Sequence, residues 1–313
     1  MAENSNNPLI TFALFAYNQE KYIEDAVLGV FSQTYSPLEI ILSDDCSHDN
    51  TFAIMEKMAN NYKGPHTIIL NRNKNNLGLI GHINKVFTEV VNGEIIVVGA
   101  GDDISLPERV KQTYKAFEND AEIISVSMNY QRISEIGDAI NTTTSFYKGY
   151  VSLNDFYKTK KLSLLGSTRA YHKKVITIFG KLSPDSGVED SNLVFRSLLL
   201  GKTFHINKIG VNYRVIKNSL SSSINLTQIE GVLKQRRLDS EKALKLQLIF
   251  KSDLDKIIEL IKYFKVKHRL RTDFLISQKN LMFYFSHILF SKYFLVSEKL
   301  DLIKNYLKDK FGN

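Results

Sequence analysis

Short apolar segments alternate with amphipathic ones through the N-terminal part of the chain. The apolar segments are rich in strand formers, and the stretches between them repeat apolar residues at helical spacing, as at Ile23, Val27 and Val30. Strands alternating with single helices predict βαβ units and a mostly parallel sheet flanked by helices, which is an α/β fold. The predicted strands are residues 9–15, 38–42, 66–70, 94–98 and 123–128. The predicted helices begin near residue 23, cover residues 51–61 and 80–91, and resume after Leu106-Pro107.

The pattern changes in the second half of the chain. Periodicity weakens over residues 129–165, where we expect irregular strands and a helix near residues 153–158. Residues 193–200 again fit a helix, and the last part of the chain is almost entirely helical in pattern and lacks proline. We therefore predict an α/β domain over residues 1–223 and a helical C-terminal region over residues 224–313.

Composition narrows the class of protein. The chain has 313 residues of ordinary globular composition, and its single cysteine, Cys46, cannot form an intramolecular disulfide. The N-terminus lacks a signal-peptide pattern, and no run of about 18 apolar residues predicts a spanning helix. We expect a cytoplasmic protein.

Positive charge is concentrated in the C-terminal region. Residues 224–313 hold 18 Lys and Arg against 10 Asp and Glu, so the whole net charge of +8 lies there. This asymmetry favours contact with an anionic surface, and acidic lipid fits better than nucleic acid because no nucleic-acid reader motif accompanies the charge.

The same region has two further helical features. Residues 254–264 repeat apolar residues at helical spacing, and residues 281–295 are rich in aromatic residues but too short to span a bilayer. A helix in the membrane interface, peripheral on the inner face of the cytoplasmic membrane, fits this pattern. The alternative is a helical subdomain that packs on the core or forms a homo-oligomer contact.

Polar residues follow three of the predicted strands. Asn18 follows the first strand, Asp44-Asp45 the second and Asp102-Asp103 the fourth. Ligands of open α/β sheets bind beyond the carboxyl ends of the strands. Paired carboxylates there suit a divalent cation that is shared with substrate phosphates, although a solvated turn that caps the next helix also explains each pair.

A third acidic pair, Glu189-Asp190, precedes the predicted helix over residues 193–200. Acidic residues at a helix start are favoured by the helix dipole, which is one explanation of the pair. The other is a general base that takes a proton from an attacking hydroxyl.

The set of motifs resembles family 2 glycosyltransferases of the GT-A fold. The resemblance covers roughly residues 8 to 221 and rests on the order of the motifs more than on any one of them. They are Ala16-Tyr17-Asn18, the segment Ser43 to Thr51, Asn76-Leu77-Gly78 with Asn84, Gly101-Asp102-Asp103, and Glu189-Asp190 with Leu193 and Arg196.

The resemblance implies a GT-A, Rossmann-like sheet and inverting transfer of a sugar from a nucleoside diphosphate donor, a UDP-, GDP- or TDP-sugar. It implies that Asp103, with Asp102, binds Mg²⁺ or Mn²⁺ and that Asp190 is the catalytic base supported by Glu189. The residues that it puts beside the nucleotide are Ala16, Tyr17, Asn18, Asp44, Asp45, Asn76, Gly78, Asn84 and Asp102. Gly166, Ser167 and Arg169 lie where such enzymes often shape the acceptor side, and a buried turn and strand is the alternative for them.

The sequence departs from the family pattern at two positions. Ala100 stands where the metal loop often begins with aspartate, and Ile216 stands where many relatives have a histidine after a Tyr-Arg pair. The expected function is therefore transfer to a glycan or lipid-linked acceptor in bacterial surface polysaccharide synthesis, with a catalytically impaired binding subunit as the alternative. The absence of tryptophan excludes the Gln-X-X-Arg-Trp motif of processive enzymes, so we expect few additions per acceptor.

Overall fold

The computed structural model describes residues 7–143, 149–160, 166–216 and 226–276. Ten strands in these residues form one sheet, and helices cover both of its faces. The strands are β1 Ile10–Ala16, β2 Leu38–Asp44, β3 Thr67–Arg72, β4 Ile95–Ala100, β5 Ile104–Ser105, β6 Ile123–Ile133, β7 Ala139–Thr143, β8 Gly149–Val151, β9 Arg169–His172 and β10 Lys202–Arg214. The helices are α1 Ile23–Phe31, α2 Thr51–Asn61, α3 Gly78–Lys85, α4 Arg109–Asn119, α5 Leu153–Thr159, α6 Lys174–Thr177, α7 Glu189–Leu200, α8 Leu226–Lys245 and α9 Lys251–Ile276.

The sheet has a parallel half and a mixed half. Its order is β3-β2-β1-β4-β9-β6-β10-β5, with β7 beside β6 and β8 beside β10. The first four strands in that order are parallel, which confirms the predicted α/β architecture. β9 enters antiparallel between β4 and β6. The sequence offered a turn and strand only as the alternative for Gly166 to Arg169, and the structure has both there; periodicity alone could not predict β9, because its four residues are too few to show a period.

The register of the parallel strands aligns their carboxyl ends. Ala16 of β1 is level with Asp44 of β2, and Phe15 is level with Ala100 of β4. The loops that follow these three strands therefore start at the same edge of the sheet. This edge is where the sequence analysis puts the polar clusters.

The core has one layer on each face of the sheet. Along β1, Phe12 packs in the layer with α1, α2 and α4, whereas Ala13 packs in the layer with α3, α6 and α7. Both faces are covered, and all seven residues of β1 and of β2 are buried. Strands buried on both faces show continuous apolar runs, which explains the pattern seen in the sequence.

The described part of the C-terminal region forms a third packing layer. Leu233 of α8 and Ile257 of α9 are buried with Phe156 of α5 and Phe195 of α7. The helical prediction for this region is confirmed as far as the structure describes it, up to residue 276. Residues 221–225 and the aromatic stretch 281–295 lie outside the described residues, so the domain boundary and the membrane-interface helix stay predictions.

No helix in the part of the chain that the structure describes is long and apolar enough to cross a membrane.

Candidate active site

The loops after β1 and β2 are tied together through Asn18. Its φ of 52° lies in the left-handed region, which asparagine tolerates better than most residues. Its backbone N–H donates to Ser47 Oγ at 2.9 Å, and its Oδ1 accepts from the His48 N–H at 2.9 Å. Tyr17, directly before it, is 39% exposed. Asn18 therefore holds the two loops together at this edge of the sheet, and the neighbouring Tyr17 stays exposed.

Asp45 acts as an anchor for the neighbouring loop. Its N–H donates to the Ala16 carbonyl at 3.0 Å. Its Oδ1 accepts from Asn73 Nδ2 at 2.7 Å and from the Leu77 N–H at 2.9 Å. The carboxylate is thus engaged in holding the loop between β3 and α3.

Asp44 is buried next to Asp45, but one of its carboxylate oxygens has no hydrogen-bond donor in the part of the chain that the structure covers. Its Oδ2 accepts from the Ser47 N–H at 2.9 Å and faces Arg72 Nε at 3.4 Å. Its Oδ1 is buried and finds no donor among the residues that the structure describes. A buried carboxylate oxygen without a donor is costly, so Asp44, more than Asp45, is suited to accept a hydrogen bond from a ligand.

The three residues in and just before α3 that were predicted to lie beside the nucleotide have different roles. Gly78 begins the helix with a φ of 69°, a conformation that favours glycine, and its N–H donates to Asn76 Oδ1 at 2.7 Å. The Asn84 amide bonds the Leu182 backbone at both ends, at 2.8 Å and 2.7 Å. Asn76 and Gly78 shape the end of the loop between β3 and α3. Asn84 instead fastens α3 to the loop before α7, a contact that the sequence analysis did not foresee.

Asp102 and Asp103 lie in the turn after β4, where Asp103 is buried and Asp102 half-buried. Arg214, the last residue of β10, donates from its N–H to Asp103 Oδ1 at 2.9 Å and from Nε to the Asp102 carbonyl at 3.0 Å. Burial, with the Asp102 carboxylate second, raises the pKa of Asp103 to about 7. Burial also raises the pKa of Asp102. The positive charge near the two carboxylates is therefore too small to keep their pKa values low, and a cation between them would lower both pKa values.

Two arginines stabilise this turn, and the sequence analysis had not singled out Arg109. Its guanidinium is buried and donates to the Val98 carbonyl at 2.7 Å and to Ser105 Oγ at 2.8 Å, close enough to Asp103 to lower its pKa. The Arg214 guanidinium bridges the turn and α1, because its Nη2 donates to Asp25 Oδ2 at 3.0 Å while its charge lowers the pKa of Asp102.

Glu189 and Asp190 begin α7 and are half-buried. Burial, with Asp190 second, raises the pKa of Glu189 to about 8. Burial also raises the pKa of Asp190, which the Arg169 guanidinium of β9 opposes. A Cβ built on Gly166 would lie 2.8 Å from Glu189 Oε1 and 3.8 Å from Asp190 Oδ2. The backbone at Gly166 therefore lies directly against both acidic side chains, and a larger residue there would displace the Glu189 carboxyl group.

A single turn joins the two acidic pairs. The short 3₁₀ turn Gly166–Thr168 leads into β9, and its Gly166 lies against Glu189 and Asp190. The Ser167 hydroxyl lies beside the Asp103 carboxyl and lowers its pKa, although it falls outside regular hydrogen-bond geometry. Two adjacent residues of this turn therefore contact the two pairs: Gly166 lies against the pair at the start of α7, and Ser167 lies beside the pair after β4.

The metal-ligand set is small. Among the described residues, no group of three or more His, Cys, Asp or Glu side chains could hold a metal ion. Mg²⁺ and Mn²⁺ commonly take one or two protein carboxylates and complete their coordination with substrate phosphates and water. Asp102 and Asp103, with their raised pKa values, fit such a two-carboxylate site.

Comparison with known proteins shows a family and several relatives. The model of the family described as glycosyl transferase family 2 matches residues 11–179. An uncharacterized glycosyltransferase of Haemophilus influenzae is 27% identical over 243 residues, which cover 74% of this chain and 73% of that protein. The chondroitin synthase of Pasteurella multocida is 26% identical over 225 residues, 70% of this chain but only 22% of the synthase.

One solved structure shares the fold. The crystal structure of S. aureus TarS residues 1–349, in complex with UDP-GlcNAc, superposes with a TM-score of 0.61 at 18% sequence identity. The superposition covers 96% of this chain and 80% of that chain, so it includes the C-terminal helices as well as the sheet.

Proposed function

This chain belongs to glycosyltransferase family 2, and on that premise we propose that it transfers a sugar, with inversion, from a nucleoside diphosphate sugar to a hydroxyl of a glycan or lipid-linked acceptor. The observation that carries the proposal is the turn Gly166–Thr168, which has Asp103 on one side and Asp190 on the other. A diphosphate held at Asp103 would have its sugar directed toward Asp190. Relatives such as the Pasteurella chondroitin synthase support a polysaccharide acceptor.

Asp190 is the proposed base, with Glu189 as its support. Inversion is a single displacement, in which the acceptor oxygen bonds the anomeric carbon as the bond to the diphosphate breaks. One base suffices, because it only removes the proton of the attacking hydroxyl. A carboxylate whose pKa is raised by burial is a stronger base than an exposed one, provided that it is ionised at the working pH.

Asp103 and Asp102 are the proposed holders of Mg²⁺ or Mn²⁺. When bound, the ion would neutralise the charge that develops on the departing diphosphate. The protein contributes the two carboxylates, and Arg214 and Arg109 fix the backbone and side chain that present them.

Asp44 is the proposed reader of the nucleobase. Its buried Oδ1 needs a donor, and uracil, thymine and guanine each offer a ring N–H on the edge that pairs with other bases. Adenine has no ring N–H there. TarS, which shares the fold, was crystallised with UDP-GlcNAc, which supports a uracil donor as the first candidate.

A donor panel tests the proposal. UDP-, GDP- and TDP-sugars are added to the protein with and without Mn²⁺, and melting temperature and slow donor hydrolysis are measured, with an ADP-sugar as the control. At 100 times its Kd a true donor stabilises the protein by about 2.7 kcal/mol. A panel in which no donor shifts the melting temperature and none is hydrolysed would contradict the proposal.

The second candidate is a binding subunit of a glycan assembly complex that has lost metal chemistry. Ala100, at the end of β4, and Ile216, just after β10, favour it because neither side chain can ligate a metal. It predicts donor binding without turnover, whatever metal is present. Turnover by the isolated chain would eliminate this candidate.

A further inference from the structure

Arg236 belongs to α8, yet its side chain reaches the start of α7. The guanidinium is buried, and its Nη2 donates to Ser191 Oγ at 2.8 Å. Ser191 directly follows Asp190 in the chain. A cation from the C-terminal region thus lies one residue from Asp190, near enough to lower the pKa of its carboxyl group.

The aromatic side chains around Arg236 restrict its movement. Its guanidinium carbon lies 5.5 Å from the ring centre of Phe156, 5.4 Å from that of Phe195 and 5.9 Å from that of Phe264. These rings come from α5, α7 and α9. A guanidinium packed against aromatic rings keeps its charge and loses little further freedom when it faces a carboxylate.

The backbone of α8 also presses on the loop that leads to Asp190. A Cβ on Gly231 would collide with the Asp185 carbonyl oxygen, so the helix touches the loop there. Four residues further along α8, Gln235 Oε1 accepts from the Ser183 N–H at 2.9 Å. The helix that carries Arg236 is therefore fixed to the segment that carries the base.

We propose that Arg236 is a positioning residue, a cation that α8 delivers to hold Asp190 in place for the transfer reaction. The inference rests on the proposed function of Asp190 as the base. It assigns the C-terminal helix a part in the active site, in addition to any contact with membrane or a second copy.

The charged and titratable groups that face Asp190 come from three elements. They are Glu189 of α7, Arg169 and Tyr171 of β9, and Arg236 of α8. Both guanidinium groups lower the pKa of Asp190 against the larger effect of burial. Arg169 alone would leave one cation for the two carboxyl groups.

The variant Arg236→Met tests the inference, since methionine fills the space between the rings and removes the charge. Arg237→Met is the matched control, because Arg237 is the next residue, has a side chain 66% exposed and pairs with Glu241 instead. Three quantities are measured on the full chain. They are the titration midpoint of Asp190 by carbon NMR, assigned with Asp190→Asn, the hydrolysis rate of the donor found in the panel, and the Kd for that donor.

In R236M the Asp190 midpoint should rise by about one unit or more. The hydrolysis rate should fall about 10-fold while the Kd for the donor stays within about twofold, since only the base is disturbed. R237M should match the wild type in all three measurements. A folded R236M with the wild-type midpoint, or with the wild-type rate, overturns the inference.

Two further outcomes are also decisive. If R236M does not fold, Arg236→Lys replaces it, because the point charge of lysine cannot both bond Ser191 and face Asp190 as the planar guanidinium does. A shifted midpoint with unchanged donor affinity then supports the inference, and wild-type values overturn it. If the wild type hydrolyses no donor, the proposed function fails, whereas the Asp190 titration still decides the positioning role.

Discussion

The two acidic pairs are held by differently built regions of the molecule. Asp102-Asp103 ends a strand of the parallel half, and Arg214 contacts it mainly through hydrogen bonds that fix its backbone and one carboxylate oxygen. Glu189-Asp190 begins α7 and faces the guanidinium groups of Arg169 and Arg236 from two other elements. Both regions supply counter-charge from within the protein, since Arg214 lowers the pKa of Asp102 and Arg109 that of Asp103. They differ in its source, because one of the two cations near Asp190 comes from the C-terminal helix α8.

Replacement of Asp190 by asparagine should have the largest effect and should separate the two regions. The amide keeps the shape but cannot take a proton, so the turnover rate should fall about 10²–10⁴-fold. Donor affinity, which depends on the other pair, should stay within about twofold. Steady-state kinetics and calorimetric titration with the donor check this. Turnover near the wild-type rate would remove Asp190 from the role of base.

The second region should also depend on the C-terminal helices for its stability. Arg196 of α7 is fully buried, and its guanidinium pairs with Asp239 of α8 at 2.8 Å and 3.1 Å. Asp239→Ala leaves that cation without its carboxylate and should lower the free energy of unfolding by about 3–5 kcal/mol. Glu241→Ala, two residues on and exposed, should cost less than about 1 kcal/mol. Urea unfolding of both variants gives the comparison, and equal losses would contradict it.

The first region should respond to metal and the second should not. Asp103→Asn should lower the affinity for UDP in the presence of Mn²⁺ by at least about 10-fold. Without Mn²⁺ the affinity should be unchanged or higher, since one of two repelling carboxylates is gone. Calorimetry with and without Mn²⁺ measures both, with the exposed Asp138→Asn as control. A loss of the same size without metal would show that Asp103 does not act through the ion.

The smallest expected effect is on the pH dependence of stability. Burial raises the pKa of Glu189 from an ordinary value of 4.5 to about 8, so the folded state holds this proton where the unfolded state releases it. The contribution to stability is complete below pH 4.5 and is lost as the pH rises toward 8. Glu189→Gln should therefore flatten the fall in melting temperature over this range by at least about 2 °C. The exposed Glu259→Gln should leave the slope as it is, and an unchanged slope in Glu189→Gln would contradict the prediction.

The sequence was informative for the parallel half because its signals are local. Strands such as Ile95–Ala100 are continuous apolar runs, and each is followed directly by its polar loop. Because parallel strands end at one edge of a sheet, the sequence alone predicts that Asn18, Asp44 and Asp102 lie close together. The long β6 and the short β9 were not predicted at their observed lengths, because their pairing depends on residues far apart in the chain.

For the C-terminal region, in contrast, the sequence was a poor guide to where its charges lie. Its charge suggested a surface that meets lipid, yet Arg236 is buried inside the protein. A signal was present, since Arg236 lies three residues after Leu233 and four before Ser240, on the helix face that is buried. A basic residue on an apolar helix face is ambiguous from the sequence alone, because its partner can be solvent, lipid or a carboxylate.

The α/β class, the strand-end acidic clusters and the family could be read from the chain alone, because each is carried by residue types at short spacing. The fold was needed to show which oxygen of Asp44 lacks a donor among the described residues, that Asn84 bonds the backbone of residue 182, and that Arg236 lies near Asp190. These are questions of distance and burial between segments far apart in the chain. Local pattern cannot answer them, since desolvation and counter-charge depend on what the fold brings near.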